Sequence, residues 1–207
     1  MVNKENLFIT FEGGEGAGKS TQAKLLEEYL KGIGKQTLLI REPGATNMGE
    51  KIRKIISENE ETIEPLTELF LFSAARKELV EKVIQPALAQ NITVICDRYI
   101  DSTIAYQHFG RNIELQTVLS VIKLTTLNLL PDLTILLDIN YKEMIKRKTN
   151  NLDYFEREEE EFHKKIQNGY NKLAKQEPQR WKVFSANSTE MEISEKIIET
   201  VNQMGIT

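Results

Sequence analysis

The sequence contains a single cysteine, Cys96, among its 207 residues, so no disulfide bond can form within the chain. Because Cys96 ends a short apolar run that begins at Thr93, we interpret its thiol as a small buried side chain rather than as a nucleophile. The chain also lacks a run of about 18 apolar residues that could span a membrane, and its first residues lack the basic-then-apolar pattern of a signal peptide. These absences predict a cytoplasmic protein without a membrane partner.

An excess of positive charge is missing as well. The chain has 27 basic and 31 acidic residues and a net charge of −4. Nucleic-acid-binding domains usually carry a basic surface, so this balance argues against a nucleic-acid partner. The length fits one α/β domain, which would bury roughly 70% of the unfolded surface without a metal or disulfide. We therefore expect a single domain over residues 1–207.

A glycine-rich segment stands close to the start of the chain. Gly13 to Ser20 matches the pattern Gly-x4-Gly-Lys-Ser/Thr and lies between the apolar run Leu7 to Phe11 and a helix-like stretch, which is the context that a phosphate-binding P-loop requires. Backbone N–H groups and the following helix N-terminus would face the phosphates. Lys19 would reach the β- and γ-phosphates, and the Ser20 hydroxyl would hold Mg²⁺. The candidate nucleotide-binding residues are Gly13, Gly14, Glu15, Gly16, Ala17, Gly18, Lys19, Ser20 and Thr21.

Short apolar runs alternate with helical patterns along the rest of the chain. The predicted strands are Leu7 to Phe11, Thr37 to Ile40, Thr93 to Cys96, Leu133 to Ile139 and Lys182 to Ser185. The predicted helices are Ser20 to Leu30, Gly49 to Ser57, Pro65 to Gln90, Glu114 to Asn128, Tyr141 to Lys148, Glu156 to Lys175 and Glu190 to Met204. This alternation predicts a three-layer α/β fold of the P-loop NTPase type, with a five-stranded parallel sheet flanked by helices. Ligands of such sheets bind beyond the carboxyl ends of the strands.

Arginines follow these predicted strands, whereas the Asn-Lys-x-Asp motif of GTPases is absent. Arg41 and Arg98 come directly after two strands, and Arg53 and Arg76 lie on the helices between them. A guanidinium group can bind phosphate through two parallel hydrogen bonds. Converging arginines therefore indicate a second phosphorylated ligand that faces the triphosphate.

The order of several motifs resembles the thymidylate kinase family over nearly the whole chain. The motifs are Phe11-Glu12-Gly13 leading into the P-loop, Arg41-Glu42-Pro43-Gly44, Leu71-Phe72-Ser73-Ala74-Ala75-Arg76, Asp97-Arg98-Tyr99 and Ala105-Tyr106-Gln107. The resemblance implies ATP- and Mg²⁺-dependent phosphorylation of dTMP to dTDP in dTTP biosynthesis. It also implies a single domain like those of nucleoside monophosphate kinases, a lid at about residues 146–156, and a homodimer.

The resemblance also implies roles for individual residues. Phe72 would stack on the thymine ring, Arg76 would reach a thymine carbonyl, and Gln107 would pair with the base edge. The other implied substrate contacts are Ser102 and Thr103 near the base, Tyr106 and Glu15 at the sugar, and Arg41, Arg53 and Arg98 at the acceptor phosphate. Besides Ser20, the implied metal-binding residues are Glu12 and Asp97.

The lid departs from the family pattern. Gly16 in the P-loop resembles the bacterial type, whose catalytic arginines lie in the lid. Here the lid begins Arg147-Lys148-Thr149-Asn150-Asn151, and Tyr154 stands where an arginine is frequent. Arg147, Lys148 and Arg157 are the candidates for contacting the transferred phosphoryl group, with Arg147 ranked first. The implied catalytic set is then Lys19, Arg98, Arg147 and Lys148.

Two other functions stay open on the sequence alone. The chain could be another nucleotide kinase that acts on deoxynucleosides or on a different monophosphate, and the sequence leaves dUMP open as a secondary acceptor. It could also be a non-catalytic P-loop module that binds ATP, although the acceptor-side arginines would then have no purpose.

Overall fold

Near-continuous apolar runs form the five parallel strands of a central sheet. The computed structural model describes residues 6–59, 61–147 and 154–206. The strands are β1 Phe8–Glu12, β2 Thr37–Arg41, β3 Thr93–Asp97, β4 Leu133–Asp138 and β5 Trp181–Ser185, in the spatial order β2-β3-β1-β4-β5. This arrangement confirms the predicted five-stranded parallel sheet.

Helices cover both faces of the sheet. They are α1 Lys19–Gly32, α2 Asn47–Ser57, α3 Pro65–Leu79, α4 Gln85–Ala89, α5 Ile100–Thr103, α6 Leu115–Thr126, α7 Tyr141–Arg147, α8 Glu160–Gln176 and α9 Glu190–Gln203. A π-helical segment, Val80–Ile84, joins α3 to α4, another, Ile104–Gly110, continues α5, and Phe155–Arg157 forms a 3-10 turn. Because side chains alternate along a strand, Phe8 contributes to one apolar core and Ile9 to the other.

The strand register brings three carboxyl ends to one edge of the sheet. Asp97 of β3 pairs with Arg41 of β2 on one side and with Phe11 of β1 on the other, and Glu12 pairs with Leu136. Residues that are far apart in sequence therefore lie side by side at this edge. Many of the polar groups discussed below lie at this edge or on the helices that follow these strands.

One helix was missing from the sequence predictions. Residues 100–110 are helical, although β-branched residues, Asp101 and Ser102 have low helix propensity. Packing against α8 explains the difference, because a Cβ at Gly169 would lie 2.5 Å from the Phe109 ring and one at Gly110 would lie 2.7 Å from the Phe162 ring. Buried Asp101 also accepts two hydrogen bonds from Arg180, at 2.6 and 2.9 Å, which fix the helix start beside β5. Tertiary contacts thus override the weak local preference.

Cys96 lies within β3 and is fully buried, as the sequence predicted. Burial raises the pKa of its thiol well above the usual value, which is the opposite of what a nucleophile needs. Within the described part of the chain, the helices are all too short or too polar to cross a bilayer.

Candidate active site

The P-loop curves between β1 and α1 because glycines take backbone angles that other residues avoid. The φ angles of Gly13, Gly16 and Gly18 are 137°, 67° and 92°. A Cβ at Gly13 would also collide with the carbonyl oxygen of Leu137 on the neighbouring strand. The Lys19 ammonium donates to the carbonyl oxygen of Gly14 at 2.8 Å, so this charge is held over the loop. Burial, followed by repulsion from Arg98, lowers the pKa of Lys19.

A cavity of about 450 Å³ opens above this loop at the carboxyl edge of the sheet. It brings together most of the predicted phosphate-binding groups from the P-loop, from β2 and α2, and from β3. Its lining includes Glu15, Gly16, Gly18, Lys19, Ser20, Thr21, Arg41, Arg53, Phe72, Asp97, Arg98 and Arg147.

A smaller pocket, of about 40 Å³, adjoins this cavity and shares Phe72, Arg98 and Phe155 with it. The remaining predicted acceptor residues lie here, and they are Arg76, Ser102, Thr103, Tyr106 and Gln107. A third cavity, of about 240 Å³, is lined by Ala17, Gly18, Thr21 and Arg147 among others. Gly18, Thr21 and Arg147 also line the large cavity, so the large cavity shares residues with both of the smaller ones.

Arg98 joins the P-loop to the smaller pocket. Its guanidinium donates to the Gly13 carbonyl oxygen and to Ser102 Oγ, both at 3.1 Å, and lies 2.5 Å from Glu15 Oε1. The Tyr106 hydroxyl donates to the same Glu15 oxygen at 2.8 Å. Burial alone would raise the pKa of Glu15, but the charges of Arg98 and Lys19 lower it to about 2. Glu15 is therefore a carboxylate at any physiological pH.

The residues suited to holding Mg²⁺ are Ser20 and Asp97. The Ser20 hydroxyl donates to Asp97 Oδ2, and both side chains line the large cavity. Hydroxyl and carboxylate oxygens are ligands that Mg²⁺ accepts, and it usually needs only one or two from the protein in addition to phosphate oxygens. A cluster of three or more metal-ligating side chains is absent from the described residues. This pair therefore fits a metal that is bound together with a nucleotide.

Glu12 lies beneath the cavity rather than in its lining. Its carboxylate is fully buried and accepts hydrogen bonds from the Tyr99 backbone N–H at 2.8 Å, from Ser102 Oγ at 2.5 Å and from the Tyr170 hydroxyl at 3.0 Å. Its oxygens are thus engaged by protein donors. The assignment of Glu12 as a magnesium-binding residue stays a prediction.

Arg76 presents buried donors to the smaller pocket. It is 2% exposed, its Nη2 lies 2.5 Å from Glu42, and the same nitrogen donates to the Tyr99 carbonyl oxygen at 3.2 Å. Its Nε and Nη1 have no hydrogen-bond partner among the described residues. Burial opposes the charge of Arg76, but Glu42 outweighs it and raises the pKa of the guanidinium. These free N–H groups can donate to a ligand that enters the pocket.

Aromatic rings form the apolar wall of this pocket. The rings of Phe72 and Phe155 are nearly parallel, with centroids 6.0 Å apart and an interplanar angle of 20°. Tyr106 meets Phe155 edge to face, with centroids 4.7 Å apart. A flat ring that stacks on such a wall keeps its polar edge free for hydrogen bonds. The pocket is therefore suited to a planar heterocycle.

Arg147 and Arg157, two of the lid residues predicted to contact the transferred phosphoryl group, lie at different places in the structure. Arg147 at the end of α7 donates to the Gly16 carbonyl oxygen at 3.1 Å and to the Ala186 carbonyl oxygen at 2.6 Å, so it lies against the P-loop. Arg157 instead donates to the Asn59 carbonyl oxygen and is absent from the described cavity lining. Lys148, together with most of the predicted lid, lies outside the described residues.

Several residues of the site had no role in the sequence predictions, among them Glu42, Phe155 and Tyr170. Glu42 belongs to the motif Arg41-Glu42-Pro43-Gly44 but was given no role. Its position beside Arg41 at the end of a strand could have indicated that it lies in the site. Phe155 and Tyr170 gave no such signal, because they reach the site through the 3-10 turn and α8. Tyr170 bonds to Glu12 across 158 residues of sequence.

Comparison with known proteins agrees with this geometry. A family model described as thymidylate kinase matches residues 11–197. The chain belongs to the thymidylate kinase family. A thymidylate kinase from Dehalococcoides mccartyi is 46% identical over 201 residues, covering 96% of this chain and 97% of the relative. One from Caldanaerobacter subterraneus is 42% identical over 197 residues, covering 95% of each.

A solved structure shares the fold of this thymidylate kinase family member. The crystal structure of thymidylate kinase from Ehrlichia chaffeensis superposes with a TM-score of 0.78 at 33% identity, covering 95% of this chain and 98% of that one. The family resemblance that the motifs predicted, and the P-loop type of fold, are thereby confirmed.

The buried position of Glu12 predicts a pH effect on stability. Burial, and then repulsion from Asp101, raise the pKa of Glu12 from 4.5 to about 7. Between these values the folded protein binds a proton that the unfolded chain has lost, so this residue makes stability fall as pH rises through that window. We expect the free energy of unfolding of the wild type to fall over this range relative to that of Glu12→Gln. Urea unfolding at several pH values measures it, and parallel curves for the two proteins would contradict it.

Proposed function

We propose that this protein transfers the γ-phosphoryl group of ATP to dTMP, which yields dTDP for dTTP biosynthesis. The observation that supports this proposal most strongly is that the large cavity above the P-loop meets an aromatic-walled pocket at Arg98. A triphosphate on the loop and a nucleotide with its base in the pocket would bring their phosphates together in the large cavity. The protein would act as one domain, with the segment at about residues 146–156 as its lid.

On the donor side, the P-loop and Lys19 bind the β- and γ-phosphates of ATP. The third cavity continues from the loop past Thr21 and Arg147, so it accommodates the donor nucleoside. Ser20 and Asp97 hold Mg²⁺, which, when bound, neutralises charge on the β- and γ-phosphate oxygens. Arg147 donates to the Gly16 carbonyl oxygen and lines the large cavity, so among the described lid residues it is our candidate for reaching the phosphates.

On the acceptor side, the smaller pocket takes the thymine base. Phe72 stacks on the ring, and the free N–H groups of Arg76 donate to a thymine carbonyl oxygen. The amide of Gln107 meets the base edge, with Ser102 and Thr103 beside it. Tyr106 and Glu15 lie at the sugar, where the ionised Glu15 accepts from the 3′-hydroxyl. Arg41, Arg53 and Arg98 bind the acceptor phosphate.

The chemistry of transfer requires positioning and charge compensation. The acceptor phosphate is already ionised at neutral pH, so no strong general base is needed. Two anionic groups must instead be held in line. Lys19, Arg98 and Arg147 offset their repulsion in the cavity, and Lys148 joins this set as an untested prediction. The same geometry explains why the non-catalytic alternative is disfavoured, since acceptor-side arginines have no purpose in an ATP-binding module.

The proposed assembly is a homodimer through α3 and α6. These helices pack on one another and share an outward apolar surface in which Phe70 is 54% exposed. The other exposed members of this surface are Leu66, Leu115 and Leu119. A second copy of the chain would cover it. The proposed reaction places the protein in the cytoplasm, where ATP and dTMP are available.

An ADP-release assay with ATP and Mg²⁺ tests the function. We expect release to depend on an acceptor and to be stimulated by dTMP well above dUMP, dCMP and dGMP. The aromatic wall and the Arg76 donors favour a pyrimidine with a carbonyl at the base edge, and the preference for dTMP over dUMP follows from the family resemblance. Release without any acceptor would instead indicate an ATPase or switch protein, and stimulation by another nucleotide would identify a different kinase.

Replacement of Arg98 separates binding from transfer. We expect Arg98→Ala to bind ATP but to lose phosphoryl transfer by about 10²- to 10³-fold, because one charge-stabilising group is removed from the transition state. Calorimetry measures ATP binding, and the coupled assay measures transfer. Lys164→Ala, at an exposed position on α8, serves as the control. An equal loss of ATP binding and transfer would contradict the acceptor-side role.

The dimer is tested by placing a charge on its surface. We expect Phe70→Glu to be monomeric at concentrations at which the wild type is dimeric, since two buried carboxylates would face one another across the symmetry axis. Sedimentation equilibrium measures the mass. Met191→Glu, at an exposed position on α9, is the matched control and should remain dimeric. A monomeric wild type would refute the dimer, and a dimeric Phe70→Glu would place its interface elsewhere.

A further inference from the structure

A buried carboxylate lies behind the base pocket and takes no part in the steps above. Glu68 on α3 is fully buried. Its Oε1 accepts a hydrogen bond of 2.9 Å from Nε2 of Gln107. Arg111 donates to both Glu68 oxygens, at 3.0 Å through Nη2 and at 3.3 Å through Nε. Glu68 therefore connects an amide of the pocket to the charged side chain of Arg111.

The two ends of the Gln107 amide are chemically different. Nε2 can only donate hydrogen bonds, and Oε1 can only accept them. A carboxylate accepts only, so Glu68 can pair with the Nε2 end alone. One Nε2 hydrogen is directed at Glu68, and because Gln107 lines the pocket, its Oε1 is the acceptor that remains for a base that binds there.

Further contacts prevent Glu68 from turning away. The Arg111 side chain is 9% exposed, its Nη1 lies 2.7 Å from Glu158 Oε1, and its guanidinium lies 4.6 Å from the centre of the Phe162 ring. Burial raises the pKa of Tyr154, and its hydrogen bond to Glu68 contributes to the same shift. Glu68 is thus held by Gln107, by Arg111 and by Tyr154, which lies within the predicted lid.

We propose that Glu68 is a positioning residue that determines which pyrimidine the pocket accepts. It holds the Gln107 amide with the carbonyl oxygen available to the base, so the pocket favours a ring whose N3 carries hydrogen. Thymine and uracil have an N3–H donor that can bond to Gln107 Oε1. N3 of cytosine is an acceptor, so its lone pair would be repelled by the lone pairs of that oxygen. The inference rests on the proposed function and deepens it, since it explains how a dTMP kinase rejects cytosine nucleotides.

The test is Glu68→Gln, assayed with dTMP, dUMP and dCMP. An amide at this position can donate as well as accept, so the Gln107 amide can reverse and offer its NH₂ group to the base. We expect the ratio of kcat/KM for dTMP to that for dCMP to fall about tenfold or more, mainly through a higher KM for dTMP. The ratio of kcat/KM for dTMP to that for dUMP should stay within about twofold of the wild-type ratio, because the two bases share the same hydrogen-bonding edge.

Two further variants separate positioning from a general structural effect. In a Gln107→Met background, Glu68→Gln should leave the dTMP to dCMP ratio unchanged, since Glu68 acts through Gln107. Glu78→Gln, at a more exposed position on the same helix, makes the same charge change and should behave as the wild type. If Glu68→Gln fails to fold because Arg111 loses one of its two carboxylate partners, Glu68→Gln with Arg111→Gln removes both charges of this pair and carries the same expectation.

The outcomes distinguish this inference from the proposed function. An unchanged dTMP to dCMP ratio in a folded Glu68→Gln protein overturns the positioning role and leaves the function intact. An equal collapse of the dTMP to dCMP and dTMP to dUMP ratios also overturns it, because Glu68 would then only support the pocket. A wild type that does not phosphorylate dTMP overturns both.

Discussion

The ion pair between Arg98 and Glu15 is the contact on which the rest of the site depends. It joins the end of β3 to the P-loop, and Tyr106 adds the base-pocket helix through a hydrogen bond to the same carboxylate. Arg98 has a φ of 72°, a strained angle for a residue with a side chain that costs about 1–3 kcal/mol. The bonds of its guanidinium to Gly13 and Ser102 help to hold it there. Without this ion pair, the P-loop and the base pocket would not be held at a fixed distance and orientation relative to each other.

The parallel sheet makes this pair possible. In such a sheet all strands point the same way, so the loops that follow them meet at one edge. Asp97 stands opposite Arg41 on one side and Phe11 on the other, so Ser20, Asp97, the arginines at the strand ends and the P-loop line one cavity. The sheet thereby places basic and acidic side chains around one cavity, into which the proposed function puts two anionic substrates.

The base pocket depends on a second constraint, which is close packing of α8 against residues 100–110. Gly110 and Gly169 allow the rings of Phe162 and Phe109 to approach the opposing backbone. This packing holds a segment of weak helix propensity in a helical form, and that segment carries Ser102, Tyr106 and Gln107. The same α8 supplies Tyr170 to the Glu12 network. Acceptor recognition is therefore built on helix packing, whereas donor binding is built on a loop.

The sequence by itself determined the sheet, the P-loop, the family and most residues that line the two cavities. These follow from local signals, namely apolar runs of strand length, glycines at fixed spacing and arginines at strand ends. The helix at residues 100–110, the hydrogen bonds of Glu12 to Tyr99, Ser102 and Tyr170, and the hydrogen bond between Gln107 and Glu68 result from tertiary packing. Periodicity in a sequence shows which face of one helix or strand is apolar. A hydrogen bond between two buried side chains depends on how several elements pack, and no short stretch of sequence encodes the distance between the donor and the acceptor.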